Sequence, residues 1–401
     1  MVFRIIYILF LISSLILGSQ YFGSVSFRQL FAAIMMIYCL KETKGIWMDK
    51  SFKFFLLFSF FFGITSIFSG YLDEFIKVFI AYYLVAWVGL WATVITYKKN
   101  NVMDCIHTLV AIGVFDAVIT IMQSFGNPIA LAIGIVSVPE EVEQISASLV
   151  QGEFVSKAIM GIFGSVYNGY YLLVVSILSL LYIMKYKNIF RLAPFAICFI
   201  ASFLCQQRSP FFINVLFLCY FLFKYLRHLK LSQKLILLVM TMLVSLFVLP
   251  RFIEFSEQND MRYSTIGMDG TGREHIYQFA ENYIGINLVT ANIFDFRKIL
   301  GYSPHMLLYN MMIYGGLLGF LCISVTLLIQ LKKSVSTIWK PLSNKNAIKF
   351  LASGAFLAFT ANSLTHNASI VTGDLLIWIL WGVVFSSNRY VITKPLTERN
   401  L

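Results

Sequence analysis

The sequence predicts an all-α polytopic membrane protein with about twelve transmembrane helices. Of its 401 residues, 59% belong to the apolar set AVILMFWYC and only 12% are charged, whereas about a quarter of the residues in a soluble domain are charged. The mean hydropathy is +0.79. A soluble fold of this length would have too few charged side chains to cover so much apolar surface. The composition also excludes a disordered, collagen-like or disulfide-rich chain.

Hydropathy divides the chain into apolar segments separated mostly by short polar turns. No soluble domain or repeat interrupts them, so we expect a single integral membrane domain over residues 1–401. Two long connections, 124–157 and 251–303, are expected to be loops. The first segment resembles a signal peptide, but because many spans follow we interpret it as a retained first helix. The predicted spans are 5–22, 27–40, 52–69, 75–97, 103–123, 158–184, 190–206, 209–226, 233–250, 304–330, 347–366 and 373–387.

The charged residues indicate which side of the membrane each connection faces. Alternate connections, with the two termini, hold 22 of the 31 Lys and Arg residues and four acidic residues. The remaining connections hold nine basic and fourteen acidic residues. The positive-inside rule assigns the basic side to the cytoplasm. We therefore expect both termini in the cytoplasm and both long loops outside, so the net charge of +12 reflects topology and gives no support for a nucleic-acid partner.

The six cysteines lie in or beside apolar stretches, and none forms a CxxC pair. A zinc site needs clustered thiolates or imidazoles. We therefore expect no metal and no cofactor, and we interpret these cysteines as small buried side chains. They are Cys39, Cys105, Cys198, Cys205, Cys219 and Cys322.

Arg208 is the first candidate for a functional residue. It falls in a very short outward-facing turn, where Ser209 and Pro210 resemble the N-cap and first position of the following helix. An arginine at this depth commonly faces a partner or a cavity, and a planar guanidinium can bind a phosphate through two hydrogen bonds. The alternative is an arginine that extends to the membrane interface without a specific partner.

Arg273 is the second candidate, in the string Thr271-Gly272-Arg273-Glu274. Thr and Glu at this spacing predict a capping box. It opens an amphipathic helix whose apolar face has the spacing i, i+3, i+4 and i+7. Arg273 then lies in the first turn, where free backbone N–H groups already favour anions. The alternative is a surface arginine paired with a nearby acid. The apolar face consists of Ile276, Phe279, Ala280 and Tyr283.

His305 is the third candidate, in Ser303-Pro304-His305. A Ser N-cap followed by Pro predicts that His305 lies in the first turn of the tenth span, at its outer mouth. The positive end of the helix dipole disfavours an imidazolium, and a neutral imidazole can accept a proton as a general base. The alternative is an interfacial histidine that bonds the backbone. Further along the same span, Gly315 and Gly319 have the spacing typical of close helix packing.

Four other polar residues are candidates for substrate binding. Asn168 lies near the outer start of the sixth span, and His366 closes the eleventh span on the same side. Arg262 and Arg297 belong to the second long loop. Asp116 is an intramembrane charge without an identifiable partner. One such charge argues against a proton-coupled transporter, which needs several.

The order of these motifs resembles the O-antigen polymerase and O-antigen ligase superfamily of bacterial inner membranes. The strings that carry the resemblance are QQRSP, TGREHIY and SPHMLLYNMMIYGGLLGF, together with GIFGSVYNG. It covers residues 158–330 well and the rest only as topology. Two positions depart from the family pattern: Met306 replaces an Asn that often follows the His, and Tyr277 replaces a Trp.

The resemblance implies a metal-independent glycosyl transfer on the periplasmic side, in a membrane fold akin to the GT-C class. The donor is a glycan on undecaprenyl diphosphate, and the membrane lipid holds its tail. Arg208 and Arg273 are then the clamp on the diphosphate, where negative charge develops, and His305 is the base for the attacking hydroxyl. A polysaccharide chain-length regulator is a partner implied by the family alone.

Three functions stay open at this point. A polymerase extends a lipid-linked polysaccharide, and this short, Phe-, Ile- and Lys-rich chain resembles the serotype-specific polymerases of the superfamily. A ligase of the same superfamily passes the glycan to lipid A-core. A lipid-linked oligosaccharide flippase belongs to a different class, and it predicts charges along the spans and small outer loops. This chain instead concentrates Arg and His in and beside a long outer loop.

Overall fold

A computed structural model describes most of the chain. The described residues are 2–16, 21–22, 25–40, 49–137, 161–186, 189–205, 207–226, 273–301, 303–304, 306–365 and 369–389.

The described part of the chain is almost entirely helical, so the all-α prediction is confirmed. Two-residue strands β1 (Tyr21–Phe22) and β2 (Val25–Ser26) pair antiparallel. The helices are α1 (Val2–Leu15), α2 (Phe27–Cys39), α3 (Lys50–Phe68), α4 (Leu72–Val78), α5 (Leu84–Lys98), α6 (Val102–Ser124), α7 (Pro128–Ser137), α8 (Ser165–Tyr186), α9 (Ala193–Leu204), α10 (Arg208–Leu226), α11 (Arg273–Ile286), α12 (Ile293–Leu300), α13 (Leu307–Ile338), α14 (Ala347–Ser363) and α15 (Leu375–Arg389).

Among the described residues, five helices are long and apolar enough to cross a membrane, which is consistent with a helical membrane protein. Four of them are α3, α6, α8 and α13. The fifth runs from Leu72 to Lys98, because a π-helical turn at Phe79–Tyr83 joins α4 to α5 without a break. Each predicted span contains a helix, except that 233–250 lies outside the described residues.

The end of the first predicted span and the start of the sixth are wrong. The helix of the first span ends at Leu15, and Tyr21–Phe22, which the span was predicted to include, form strand β1 instead. The sixth span begins at Ser165, after a turn in which Gly161 and Gly164 both have positive φ. Glycine adopts that backbone conformation without steric cost. The turn therefore replaces the helical start predicted at residue 158.

The two predicted long loops are partly helical. The connection 124–157 begins with α7, while residues 138–157 lie outside the described residues. The connection 251–303 contains α11 and α12, and residues 251–272 lie outside the described residues. In α11 the predicted apolar face is confirmed, because Ile276, Ala280 and Tyr283 are buried and Phe279 packs against the core.

Two ion pairs connect helix ends that lie on the same side of the protein. Arg4, at the start of α1, forms an ion pair with Asp104, at the start of α6, with 2.5 Å between Nε and Oδ2. Lys333, near the end of α13, lies 3.2 Å from Asp49, which caps the start of α3. These residues belong to the connections predicted to face the cytoplasm. We call the opposite end of the helices, where α8, α13 and α15 begin, the outer end.

α13 packs along α3 and breaks close to the outer end. At Gly315 and Gly319 an added Cβ would contact the Phe58 ring at 3.5 Å, so the predicted close packing at these glycines is confirmed. Between them the helix is interrupted, because Gly316 has a φ of 59° and a ψ of −165°. The amide of Leu317 donates instead to the carbonyl of Leu288 at 2.9 Å. The connection between α11 and α12 therefore supplies the acceptor that α13 has lost.

We expect Gly316→Ala to destabilise the fold by about 2–4 kcal/mol. The variant requires a positive φ that side chains disfavour, and its Cβ would overlap the Val289 carbonyl oxygen. Gly319→Ala is the matched control in the same helix, since its Cβ meets Phe58 at ordinary contact distance. Unfolding of the detergent-purified protein by heat or denaturant measures both. Equal stability of the two variants would contradict this interpretation of the break.

Candidate functional site

A cavity of about 410 Å³ lies at the outer end of the helices. It is bounded by the end of α1, the start of α2, the π-helical turn, the start of α8, one position of α14 and the loop before α15. Aromatic rings make up much of its wall, and one guanidinium and one carboxyl group face it. We call it the Arg28–Asp374 pocket, and its central residues are Arg28, Tyr82, Tyr167, Tyr170, Phe359 and Asp374.

Arg28 is positioned by the capping of α2. The Ser26 hydroxyl accepts from the Gln29 amide at 3.3 Å, and the Gln29 side chain accepts from the Ser26 amide at 3.0 Å. This capping box fixes the first turn of α2, to which Arg28 belongs. Its guanidinium lies over the Tyr82 ring, 4.9 Å from the centroid, and its Nε is buried without a hydrogen-bond partner among the described residues.

The π-helical turn presents Tyr82 to the pocket. The Tyr83 hydroxyl in the same turn donates to the Val371 carbonyl. Gly373 has a φ of 75° and lies so close to Tyr82 that an added Cβ would be 3.0 Å from the Tyr82 Cβ. The turn therefore packs directly on the loop before α15. π-Helical turns are rare in proteins, and those that occur are often found at functional sites.

Asp374 closes the loop before α15. Its Oδ1 accepts from the Leu376 amide at 2.9 Å, so it caps the first turn of α15. The loop is braced from within, because the Ser369 amide donates to the Thr372 hydroxyl at 3.0 Å. Burial raises the pKa of Asp374 from its ordinary value of 3.8 to about 6, although the helix amides and Arg28 oppose the shift. The carboxyl group is therefore both a structural cap and a pH-sensitive part of the pocket wall.

A second cavity, of about 570 Å³, is an open apolar groove between α13 and α14. It runs along both helices from their outer ends, and its lining is almost wholly aliphatic. Leu307 and Leu364 lie at its outer end, which we call the groove mouth. The other lining side chains include Met311, Leu327, Leu328, Leu331, Leu357 and Ala361.

Arg208 is the first residue of α10, so the helix begins earlier than the predicted Ser209 N-cap. The Phe211 amide donates to the Gln207 carbonyl, which accounts for the earlier start. The Arg208 side chain lies outside the described part of the structure. Its neighbour Ser209 lies 3.4 Å from Thr365, measured between the hydroxyl oxygens. The chain at Arg208 is therefore next to the end of α14, at the groove mouth.

Arg273 is the first residue of α11, so its predicted position in the first turn is confirmed, while its side chain is not described. One turn later, the Tyr277 ring packs against the Tyr309 ring, with 5.6 Å between centroids. The Tyr309 hydroxyl donates to Glu281 at 2.5 Å. These contacts join the second and third turns of α11 to the first turn of α13.

His305 lies outside the described residues, but both of its chain neighbours are described. The prediction that it occupies the first turn of α13 is wrong, because the helix begins at Leu307 and Met306 is an extended N-cap. The Ser303 hydroxyl does not cap the helix. It accepts instead from Arg297 Nε at 2.6 Å. The helix-dipole argument for a neutral imidazole is weakened accordingly, while the role of His305 as a base stays a prediction.

His366 and Arg262 also lie outside the described residues. His366 follows Thr365 and Leu364, which are at the groove mouth. Arg297 is exposed on α12, where Ser303 holds its Nε. Asn168 is fully buried and exchanges hydrogen bonds with Thr120, so its described contacts are with the protein interior. The substrate-binding roles of all four residues stay predictions.

Asp116 lies beside Asn168 and has a partner that the sequence did not reveal. One oxygen of its carboxyl group accepts from the Ile162 amide at 2.8 Å. Gln123 holds the same turn by accepting from the Gly161 amide at 2.9 Å. Gly161 is required here, since an added Cβ would overlap Asp116. Asp116 therefore anchors the turn before α8.

The pocket and the groove share α14 as a common wall. Phe359 faces the Arg28–Asp374 pocket, where its ring packs 4.6 Å from that of Tyr170, while Thr360 and Ala361 face the groove. The outer end of α14 thus separates a polar aromatic cavity from an aliphatic one. Such a pair of cavities can hold the polar and the apolar parts of amphiphilic substrates side by side.

Sequence reasoning missed Arg28 and Asp374. The string Ser26-x-x-Gln29 before an apolar run is a capping-box signature, and it would have placed Arg28 in a first helical turn. Asp374 follows Gly373 directly before an apolar run, which is a typical N-cap position. Neither signal brings the two residues together, because they are near opposite ends of the chain.

The described helices are consistent with a helical membrane protein, and two cavities open toward the same end of these helices. Among the described residues, no group of three or more His, Cys, Asp and Glu side chains is placed to hold a metal ion. Comparison with family models, with curated protein sequences and with solved structures finds no match in any of the three.

We expect stability to depend on pH through Asp374. The carboxyl group has a higher pKa in the folded state, about 6 against the ordinary value of 3.8. As the pH falls, the folded state therefore binds the proton at a higher pH than the unfolded state does. The wild type should therefore gain up to about 3 kcal/mol relative to Asp374→Asn as the pH falls from 8 to 4.

Asp374→Asn is the suitable reference because Asn also caps helices and does not titrate. Denaturant unfolding of both proteins at several pH values measures the difference. A difference that does not change between pH 8 and pH 4 would contradict the raised pKa of Asp374.

Proposed function

We propose that the chain is a polysaccharide polymerase of the O-antigen type, a glycosyltransferase of the bacterial inner membrane with a GT-C-like fold. It takes a glycan from undecaprenyl diphosphate and transfers it to another lipid-linked repeat unit on the periplasmic face. In this proposal both termini are cytoplasmic, and the outer end of the helices faces the periplasm. A chain-length regulator is the proposed protein partner.

The observation that carries the proposal is the groove mouth, where described neighbours of three predicted site residues come together. Leu307, two residues after His305, and Leu364, two residues before His366, both line the groove. Ser209, which follows Arg208, contacts Thr365. A chain of aliphatic side chains leads from this point along α13 and α14, which suits a polyprenyl tail. Its diphosphate would then lie at the mouth.

Arg273 belongs to the same proposed site through the contact between Tyr277 and Tyr309. Tyr277 follows Arg273 by one helical turn, and Tyr309 lies four residues after His305. Arg208 and Arg273 also begin their helices, where unpaired backbone N–H groups favour negative charge. Both features support an anion clamp of two arginines at two helix starts.

The proposed reaction is a displacement at the anomeric carbon of the donor glycan. A hydroxyl of the acceptor sugar attacks that carbon, and the bond between the carbon and the diphosphate oxygen breaks. Undecaprenyl diphosphate leaves with the bonding electron pair, and Arg208 and Arg273 stabilise the charge that develops on it. His305 accepts the proton of the attacking hydroxyl. In this proposal the arginines supply the positive charge that the leaving group needs.

A deletion strain tests the class of activity. Loss of a polymerase is expected to leave single repeat units on lipid A-core, visible on a lipopolysaccharide gel. Long chains that accumulate on the lipid carrier would indicate a ligase instead. The absence of both products outside the inner membrane would indicate a flippase. Restoring the gene on a plasmid is the control.

Arg208→Ala, Arg273→Ala and His305→Ala, each expressed in that strain, test the site. Removal of a charge that stabilises a leaving group typically lowers the rate by about 10²–10³-fold, and loss of a general base by about 10²–10⁴-fold. We therefore expect long polysaccharide to disappear from the gel. The matched controls are Arg191→Ala and His107→Ala, which lie near the opposite helix ends.

Membrane expression of every variant is checked by immunoblot. Normal chain lengths in all three site variants would refute the proposed clamp and base. Loss of polymer in the two control variants would show that the assay reports general damage rather than the site.

A further inference from the structure

We propose that the Arg28–Asp374 pocket binds one or two sugar rings of the acceptor glycan. This inference rests on the proposed polymerase function for the word acceptor, but the sugar binding itself can be tested alone.

The aromatic wall of the pocket fits the apolar face of a sugar ring. A pyranose has C–H groups on its faces and hydroxyls around its rim, so it stacks on flat aromatic side chains. Tyr82 and Tyr167 are 42% and 45% exposed, so their surfaces are available to a ligand. Tyr170 and Phe359 also line the pocket, but they are buried and their rings pack against each other. Tyrosine combines this stacking surface with a hydroxyl that hydrogen-bonds polar groups.

The polar groups of the pocket suit the hydroxyl groups around the rim of a sugar ring. Arg28 offers donors only, and its Nε has no partner among the described residues. The carboxylate of Asp374 offers acceptors. The two side chains face one cavity, yet no salt bridge joins them in the described part of the chain. A neutral molecule with both donors and acceptors can satisfy them together.

The balance of charge favours a neutral sugar over a phosphate. Phosphate-binding sites surround the anion with positive charge and donors. Here the carboxyl group of Asp374 lies close enough to Arg28 for their charges to interact, so the pocket has little net positive charge to offer. Its volume of about 410 Å³ falls in the usual range for small-molecule pockets, about 300–1,000 Å³.

The position of the pocket fits an acceptor. It lies across α14 from the groove, with Phe359 on one face and Ala361 on the other. The donor tail in the groove and the acceptor sugar in the pocket would therefore flank the same helix end. The reacting groups can then meet above that end, next to the residues that follow Leu364.

Binding of sugar fragments to the purified full-length protein in detergent tests the inference. The probe is a set of oligosaccharides made by partial acid hydrolysis of the surface polysaccharide of the bacterium that carries the gene. Saturation-transfer NMR detects the bound sugars and gives the Kd by titration. We expect Tyr82→Ala and Arg28→Gln each to raise that Kd by about tenfold or more. Tyr82→Phe keeps the ring and should bind nearly as the wild type does.

Tyr38→Ala is the matched control, since Tyr38 is 40% exposed on the same helix as Arg28 but lies outside the pocket. Its Kd should equal that of the wild type. Thermal unfolding establishes that each variant is folded, and Arg28→Gln carries the test if Tyr82→Ala is not folded. Full loss of binding in the folded Tyr82→Phe variant would contradict the stacking role of the ring.

Two other results would overturn the inference. One is that the folded Tyr82→Ala and Arg28→Gln variants bind the fragments as tightly as the wild type, or that no fragment binds. The other is that inorganic phosphate displaces the sugars, which would make the pocket an anion site. Failure of the proposed function looks different: pocket-dependent sugar binding would persist, while the deletion strain would keep its normal polysaccharide.

Discussion

The hydrogen bond from the Leu317 amide to the Leu288 carbonyl is the constraint on which the outer end of this protein depends. An unpaired amide at membrane depth costs several kcal/mol, so a broken helix persists only where another group replaces the lost partner. The connection between α11 and α12 provides that group. A second bond, from the Asn292 side chain to Ser66 at 2.9 Å, attaches the cap of α12 to α3. The two short helices, α11 and α12, are thereby held in a fixed position against the long helices. The backbone at Arg273, the first residue of α11, is held with them.

Much of the fold could be predicted from the sequence, because bilayer thickness and the spacing of apolar residues act locally along the chain. The positions of α3, α6 and α13 follow from hydropathy, and the buried face of α11 follows from its periodicity. The helix starts were less predictable. Ser303 looked like an N-cap, but its hydroxyl is engaged by Arg297, and a competing partner of that kind depends on tertiary structure.

The candidate residues near the groove mouth could be chosen from the sequence, but the residues of the Arg28–Asp374 pocket could not. Arg208, His305 and His366 were chosen from local strings, and described neighbours of each lie at the groove mouth. Arg28 and Asp374 could not be paired in this way. Their shared pocket is lined by Tyr82, which belongs to a π-helical turn and whose ring contacts Arg28, and no spacing rule in the sequence predicts that turn.

The shared wall formed by α14 has a consequence for how such a protein can diversify. Phe359 and Thr360 are adjacent in the chain, yet one faces the aromatic pocket and the other the aliphatic groove. If the proposed function holds, substitutions on one face of the helix alter which glycan is accepted without touching the surface proposed for the lipid carrier. Under the same proposal, strains that differ in their surface sugars can keep one common carrier and change only the aromatic side of this helix.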